Sequence, residues 1–176
     1  RGLFNSDAVD DGLGTLALVR LLVQTHDLPV IASGGIMDGA GIAAVLALGA
    51  QAAQLGTAFV GCPESAIDDG YRRALLGDGA RRTALTSSIS GRKARSLLNR
   101  FTALDADHGR PPSPDYPIAY DAGKALHAAA KAKGDFGYGA QWAGQAAMLS
   151  RAMPAADLVD TLDSELKGTL CRLVSG

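Results

Sequence analysis

The sequence predicts an α/β fold, and two short apolar runs that each end in glycine are the main observations. Residues Pro29–Ala32 have the length of a buried parallel strand and stop at SGG, 33–35. A second apolar run, Ala52–Leu55, stops at GT, 56–57. Between the runs, apolar residues at helical spacing over Ala40–Leu48 predict a helix.

This helix has the expected signals at both ends. Asp38 occupies an N-cap position, and Gly49 follows the last periodic residue at the C′ position. Backbone amides, a hydroxyl and a helix N-terminus would then meet at the carboxyl ends of both strands. A phosphate is favoured there by amide hydrogen bonds and by the helix dipole. The alternative is an ordinary strand-to-helix turn that merely needs glycine.

The position of these glycines favours one architecture. In eight-stranded (β/α) barrels, the phosphate site recurs at the loops after the last two strands. We therefore expect residues 1–78 to be the C-terminal strands and helices of such a (β/α)8 barrel, and 79–176 to be a mainly helical domain. A third parallel strand is a candidate near Arg82–Ser88. Two or three strands cannot close a barrel, so we expect the C-terminal part of something larger.

The other elements follow from apolar spacing and from the positions of proline and glycine. Loops are expected over Arg1–Asp11, which has no period, and over the Pro-rich, polar Asp105–Tyr116. Helices are expected over Leu13–Gln24, over Ser65–Leu76, from near Pro117 to Lys133, over Gln145–Arg151, and over Ala155–Leu173 with an interruption at Gly168.

Composition and charge argue against several classes of partner. The 176 residues are 47% hydrophobic with a net charge of −1, so we expect no bulk attraction to nucleic acid or to an anionic membrane. Cys62 and Cys171 lack metal-ligand spacing, so no metal site is expected. Two distant cysteines are typical of reduced thiols in a cytoplasmic protein, which we therefore expect, and no apolar run is long enough to cross a bilayer.

Polar and charged residues around the helix expected from near Pro117 form a second pattern. Tyr116, Tyr120 and Lys124 recur every four residues, so a helix would align them on one face. Two phenols and an ammonium make an anion-binding surface, although packed tyrosines and a lysine that reaches solvent explain the same spacing. The basic run Arg81–Arg95 is likewise either a solvated surface or an anion contact.

Six short motifs resemble those of a known family. ASGGI at 32–36 and QLGTAF at 54–59 look like the last two strands of flavin-dependent (β/α) barrels. The later motifs are SGRKAR at 90–95, YPIAYDAGKAL at 116–126, YGAQWAGQ at 138–145 and RAMPAADLV at 151–159. Together they resemble bacterial nitronate monooxygenases of the first class, formerly called 2-nitropropane dioxygenases, over nearly the whole chain.

The resemblance implies that FMN is bound non-covalently and that alkyl nitronates, such as propionate 3-nitronate, are oxidised with O₂ to nitrite and a carbonyl compound. It implies catalytic roles for Tyr116, Tyr120 and Lys124 in a helical substrate-binding domain. It places the FMN phosphate at Ser33, Gly34, Gly35, Gln54, Gly56 and Thr57.

The start of the chain also resembles part of a family segment. The family's catalytic histidine lies in a Gly-Gly-His-Arg-Gly segment, and this chain opens with RGLF. We therefore expect the histidine to lie just before Arg1, so that the chain lacks it. The missing N-terminal half of the barrel is then the expected partner, and the isolated chain should be inactive.

Two other functions stay open at this point. A flavin-dependent enoyl-thioester reductase of the same barrel superfamily shares the ASGGI and GT signals, but the Tyr-x₃-Tyr-x₃-Lys pattern is not expected in it. A non-catalytic half-barrel that binds only a phosphate or a partner chain is the third hypothesis.

Overall fold

The structure, a computed structural model, describes residues 12–175 and has the predicted α/β class. Its α-helices are α1 (Thr15–Thr25), α2 (Gly39–Ala47), α3 (Thr57–Val60), α4 (Asp69–Leu75), α5 (Arg100–Ala103), α6 (Ile118–Lys131) and α7 (Ala155–Ser175). Its strands are β1 (Ile31–Ser33), β2 (Ala52–Gln54), β3 (Thr83–Thr86) and β4 (Ala94–Leu97). The expected loop Arg1–Asp11 lies outside the described residues. Along 12–175, none of the helices combines the length and the apolar character needed to cross a membrane.

The described chain divides into two compact units. The parallel-strand unit comprises 12–66 and 149–175, and the hairpin unit comprises Ile67–Met148. These bounds differ from the expected division after residue 78. Helix α4 belongs to the hairpin unit, whereas α7 packs on α2 and belongs to the parallel-strand unit.

Strands β1 and β2 of the parallel-strand unit pair in parallel, as predicted. Apolar side chains from α1, β1, α2 and the connecting loops form the core beside them: Val19, Ala32, Ile36, Val45 and Ala50. Each of these residues is at least nine-tenths buried. Burial of this apolar surface, rather than the three-residue strands themselves, holds the β-loop-α-β unit together.

The two predicted ends of α2 are confirmed. The Asp38 side chain accepts a hydrogen bond from the Gly41 amide at 2.7 Å, which satisfies one of the unpaired donors of the first turn. Gly49 follows the C-cap with φ of +98°, a conformation that glycine adopts without strain.

Helix α7 approaches α2 more closely than ordinary side chains allow. A Cβ on Gly39 would lie 2.2 Å from the Leu166 amide nitrogen, so only glycine fits at this crossing. The Glu165 carboxylate accepts a hydrogen bond from the Gly39 amide at 2.9 Å and pairs with Arg151 at 2.8 Å. The expected interruption at Gly168 is wrong, because α7 runs unbroken through it and is anchored by buried residues earlier in the helix.

The hairpin unit corrects the prediction of a third parallel strand. Residues Thr83–Thr86 do form strand β3, but it pairs antiparallel with β4. A tight turn at 87–91 reverses the chain: the Gly91 amide donates to the Ser87 carbonyl at 2.8 Å, and Gly91 has φ of +79°. A chain that returns at once through a short turn can only give antiparallel pairing.

Helix α4 begins later than predicted. It starts at Asp69 rather than near Ser65, because the Asp68 side chain accepts from the Tyr71 amide at 2.8 Å and caps the helix there. The expected helix over Gln145–Arg151 is reduced to a single 3₁₀ turn, Ala147–Leu149. Helix α6 starts directly after Pro117, close to the predicted position, and ends at Lys131.

Candidate functional site

The two predicted phosphate turns leave the parallel sheet at the same edge. Strands β1 and β2 are in register with Ser33 opposite Gln54, the last residue of each strand. The turns that follow, SGG at 33–35 and GT at 56–57, therefore begin side by side. This places all six residues expected to contact the phosphate at one edge: Ser33, Gly34, Gly35, Gln54, Gly56 and Thr57.

The conformations of the glycines show why these residues are needed. Gly34 and Gly35 have φ of +113° and +75°, values that residues with a Cβ rarely adopt. Thr15 donates its hydroxyl to the Gly34 carbonyl at 2.9 Å. Because carbonyl and amide point in opposite directions across a trans peptide, the Gly35 N–H points away from Thr15.

Two of these glycines also have open space where a side chain would be. A Cβ placed on Gly35 or on Gly56 would meet no atom of residues 12–175 within 4 Å. Gly56 has φ of −106°, so its backbone does not require glycine. Neither close packing nor backbone conformation explains Gly56, which is compatible with close approach of a ligand.

The start of α2 does not contribute to this edge in the way the sequence suggested. Its Gly39 amide donates to Glu165 and its Gly41 amide donates to Asp38. Two protein carboxylates therefore already occupy the positive end of the α2 dipole. An anion at this edge would therefore be bound by the two glycine turns and not by the start of α2.

The second predicted set lies in the hairpin unit, where it forms a row along the start of α6. The rings of Tyr116 and Tyr120 stack with centroids 6.2 Å apart and an interplanar angle of 30°. The Lys124 ammonium lies 4.4 Å from the centre of the Tyr120 ring. The predicted alignment of the three side chains is confirmed, and Tyr116 and Lys124 are exposed while Tyr120 is half-buried.

Arg92 extends the row and was not among the predicted site residues. Its guanidinium carbon lies 5.5 Å from the centre of the Tyr116 ring, so the order is Arg92, Tyr116, Tyr120, Lys124. A cation at this distance over a phenol ring is attracted to the negative face of the ring. The available sequence signal was the position of Arg92 in the basic run and in SGRKAR, but the contact joins residues 24 apart in sequence.

The turn that bears Arg92 packs tightly against the segment that bears Tyr116. A Cβ on Gly91 would lie 2.2 Å from the Pro114 carbonyl oxygen and 3.1 Å from the Tyr116 amide nitrogen. The hydroxyl of Ser90 donates to the Arg92 carbonyl at 3.1 Å. These contacts fix the backbone of Arg92 relative to that of Tyr116.

A histidine and an aspartate form a separate cluster in the hairpin unit. His127 Nε2 lies 2.9 Å from Asp68 Oδ2, and the Lys131 ammonium is 3.6 Å from the same oxygen. Burial alone raises the pKa of Asp68, but the Tyr71 amide, His127 and Lys131 outweigh it, so the pKa lies below its ordinary 3.8. Asp68 also caps α4, so we interpret this cluster as structural. Within 12–175, no group of three His, Cys, Asp or Glu side chains is placed to hold a metal ion.

The geometry defines the class of protein: an α/β protein whose parallel strands end in glycine turns of the kind that binds phosphate. A sequence model of the family described as nitronate monooxygenase matches residues 1–165. The chain belongs to the nitronate monooxygenase family.

Individual relatives agree with this assignment. The chain is 69% identical to a nitronate monooxygenase of Paraburkholderia phytofirmans over 98% of its own length and 47% of the relative. It is 57% identical to a nitronate monooxygenase of Pseudomonas aeruginosa, over 96% of this chain and 48% of that one. The chain thus spans about half the length of the curated relatives it matches.

Two solved structures share the fold. The nitroalkane oxidase of Streptomyces ansochromogenes matches with a TM-score of 0.83 at 43% identity, over 92% of this chain and 46% of that chain. FabK of Thermotoga maritima matches with a TM-score of 0.75 at 31% identity, over 92% of this chain and 51% of that chain.

Proposed function

We propose that the protein is an FMN-dependent nitronate monooxygenase, which oxidises alkyl nitronates such as propionate 3-nitronate with O₂ to nitrite and a carbonyl compound. Family membership supports the reaction class. The observation that most supports the cofactor is the pair of glycine turns at one edge of parallel strands. In this proposal, β1 and β2 are late strands of a (β/α)8 barrel, and strands from outside residues 12–175 complete it.

The glycine edge fits a flavin phosphate. Gly35 and Gly56 leave space where a Cβ would be, which allows a phosphate to approach the backbone amides. We assign the phosphate to Ser33, Gly34, Gly35, Gln54, Gly56 and Thr57. FMN held by these residues would supply the redox chemistry that links oxidation of the nitronate to reduction of O₂.

The row on α6 is the proposed substrate contact. A nitronate is an anion, so the Lys124 ammonium attracts it, and the hydroxyls of Tyr116 and Tyr120 donate hydrogen bonds to its oxygens. The stacked rings hold the two hydroxyl-bearing side chains next to each other at the start of α6. In this proposal, the parallel-strand unit binds the cofactor and the hairpin unit binds the substrate.

A nitrite-release assay on the full FMN-loaded protein tests the proposal. We expect nitrite to appear in step with O₂ consumption when propionate 3-nitronate is supplied, without any need for NAD(P)H. Oxidation of NAD(P)H by an enoyl thioester, with no nitrite from nitronates, would favour the enoyl-thioester reductase. FMN binding without either activity would favour a half-barrel that only binds phosphate.

A further inference from the structure

Arg92 is a cation that the proposed mechanism does not use. Its guanidinium lies over the Tyr116 ring, at the opposite end of the tyrosine pair from Lys124. Among residues 12–175, no carboxylate lies within ion-pair distance of it. Arginine stays protonated at all physiological pH values, so the row ends in a permanent positive charge that the described carboxylates leave unneutralised.

Lys124 differs from Arg92 in this respect. Its ammonium pairs with Asp121 at 3.2 Å, and the two side chains are 61% and 71% exposed. An exposed pair of this kind contributes little and competes only weakly with a ligand. Even so, among the described residues Lys124 has a carboxylate neighbour and Arg92 has none, so Arg92 is the more available partner for an added carboxylate.

The chemistry of the guanidinium also favours this class of ligand. Its planar fork of N–H donors matches the two oxygens of a carboxylate, whereas an ammonium acts as a point charge. The 87–91 turn and the Gly91 contact with Pro114 hold the Arg92 backbone in place. An arginine on such a fixed backbone loses less conformational freedom when it binds an anion than one on a mobile loop does.

We propose that Arg92 binds the carboxylate of nitronates that carry one, and so selects them over simple alkyl nitronates. This inference rests on the proposed function, because it assigns a specificity residue to the same substrate site. Lys124 meets the nitronate group, which every substrate has, and Arg92 meets the second anionic group, which only some have. Loss of Arg92 should therefore weaken the binding of carboxylate-bearing substrates alone, whereas loss of Lys124 should weaken the binding of all substrates.

The test measures binding and does not depend on turnover. Isothermal titration calorimetry of the full FMN-loaded protein compares 3-nitropropionate with 1-nitropropane, which has a methyl group in place of the carboxylate. We expect Arg92→Met to weaken the binding of 3-nitropropionate by about 10- to 100-fold. The affinity for 1-nitropropane should stay within about twofold of the wild-type value. Arg92→Lys keeps the charge and should recover part of the loss. Lys93→Met removes an exposed cation next to Arg92 and should bind both probes as wild type does.

Two results would overturn the assignment. If Arg92→Met weakened the binding of both probes equally, Arg92 would only position Tyr116 through the ring contact. Unchanged binding of 3-nitropropionate would mean that Arg92 makes no contact with the carboxylate. In the active enzyme, Arg92→Met should raise KM for propionate 3-nitronate while kcat stays near wild type. If the wild-type protein releases no nitrite, the proposed function fails, yet the calorimetric comparison still decides the role of Arg92.

Discussion

Ser33 and Gln54 are register partners at the carboxyl ends of two parallel strands. The pairing brings a paired-glycine turn and a Gly-Thr turn to one edge, although they are separated by a helix and about 20 residues of sequence. Gly56 provides a test of this edge, because neither its backbone conformation nor its packing among residues 12–175 requires glycine.

Gly56→Ala should impair FMN binding with little effect on folding. The backbone of Gly56 has φ of −106°, and a Cβ there would meet no atom of the described residues within 4 Å. If the phosphate approaches this backbone, the methyl group collides with the ligand alone, and we expect at least about tenfold weaker FMN binding. Titration of the apoprotein with FMN, followed by flavin fluorescence, measures the change. Gly35→Asp should also abolish binding, but φ of +75° strains any side chain there.

Gly168→Ala is the matched control for this experiment. Gly168 lies in α7, and within 12–175 no atom lies within 4 Å of an added Cβ, so alanine should stabilise the helix by about 0.5–1 kcal/mol. FMN affinity should be that of wild type. Equal FMN affinity of Gly56→Ala and Gly168→Ala would remove Gly56 from the phosphate site.

Lys124→Met should lower kcat/KM for every nitronate. Loss of a charge-assisted contact to an anion costs about 1.5–3 kcal/mol, so the decrease should be about 10- to 150-fold. Lys133→Met, which removes an exposed cation just beyond the same helix, should have wild-type kinetics. Steady-state nitrite release with and without a substrate carboxylate measures both variants. Wild-type kinetics for Lys124→Met would leave packing as the explanation of the tyrosine-lysine row.

The parallel-strand unit was largely predictable because local signals agree with the tertiary structure there. The apolar runs are bounded by glycines, Asp38 is an N-cap, and Gly49 has the positive φ that its position suggests. The sequence could not reveal that Glu165, 126 residues later, takes the Gly39 amide. A contact of that separation depends on how α7 packs, and no local pattern encodes it.

The hairpin unit was less predictable for the same reason. The run Arg82–Ser88 has strand composition, but the pairing direction depends on the 87–91 turn, which the sequence shows only as part of a basic run that suits either a solvated surface or an anion contact. The late start of α4 could have been predicted from the sequence, because aspartate is a preferred N-cap residue and Asp68 caps the helix. Spacing aligned Tyr116, Tyr120 and Lys124, whereas Arg92 joins them only through tertiary packing.

Asp68→Ala should destabilise the hairpin unit. It removes the cap acceptor of α4 and the partner of His127, so we expect a loss of about 1–3 kcal/mol at pH 7. Asp68→Asn keeps an oxygen for the Tyr71 amide but loses the charge, and it should cost less. Trp142 is the single tryptophan, and its carbonyl accepts from the Tyr71 hydroxyl, so its fluorescence during urea unfolding monitors this region.

The pH dependence of the same pair provides a second check. The folded pKa of Asp68 lies below its ordinary 3.8, so its charge stabilises the fold above that value and this contribution is lost as pH falls through the folded pKa. The stability difference between wild type and Asp68→Asn should therefore be largest near neutral pH and shrink below about pH 4. A difference that stays constant down to pH 3 would mean that the Asp68 charge does not stabilise the fold.

Gly39→Ala should destabilise the packing of α7 on α2. The added Cβ would lie 2.2 Å from the Leu166 amide nitrogen and 2.4 Å from the Glu165 carbonyl carbon, and these are backbone atoms of α7 that cannot rotate away. Alanine gains up to about 1 kcal/mol of helix propensity, but overpacking of this kind costs about 1–3 kcal/mol. In the variant, the displaced α7 backbone would also strain the hydrogen bond from the residue 39 amide to Glu165. We therefore expect a net loss of stability in urea denaturation followed by circular dichroism. Gly41→Ala, in the same helical turn, meets the Asp38 and Ile36 side chains at 3.3 Å and the Ile36 Cα at 3.7 Å, and it should be close to neutral. If both variants unfold at the same urea concentration, α7 does not pack on α2 as closely as the Gly39 contact requires.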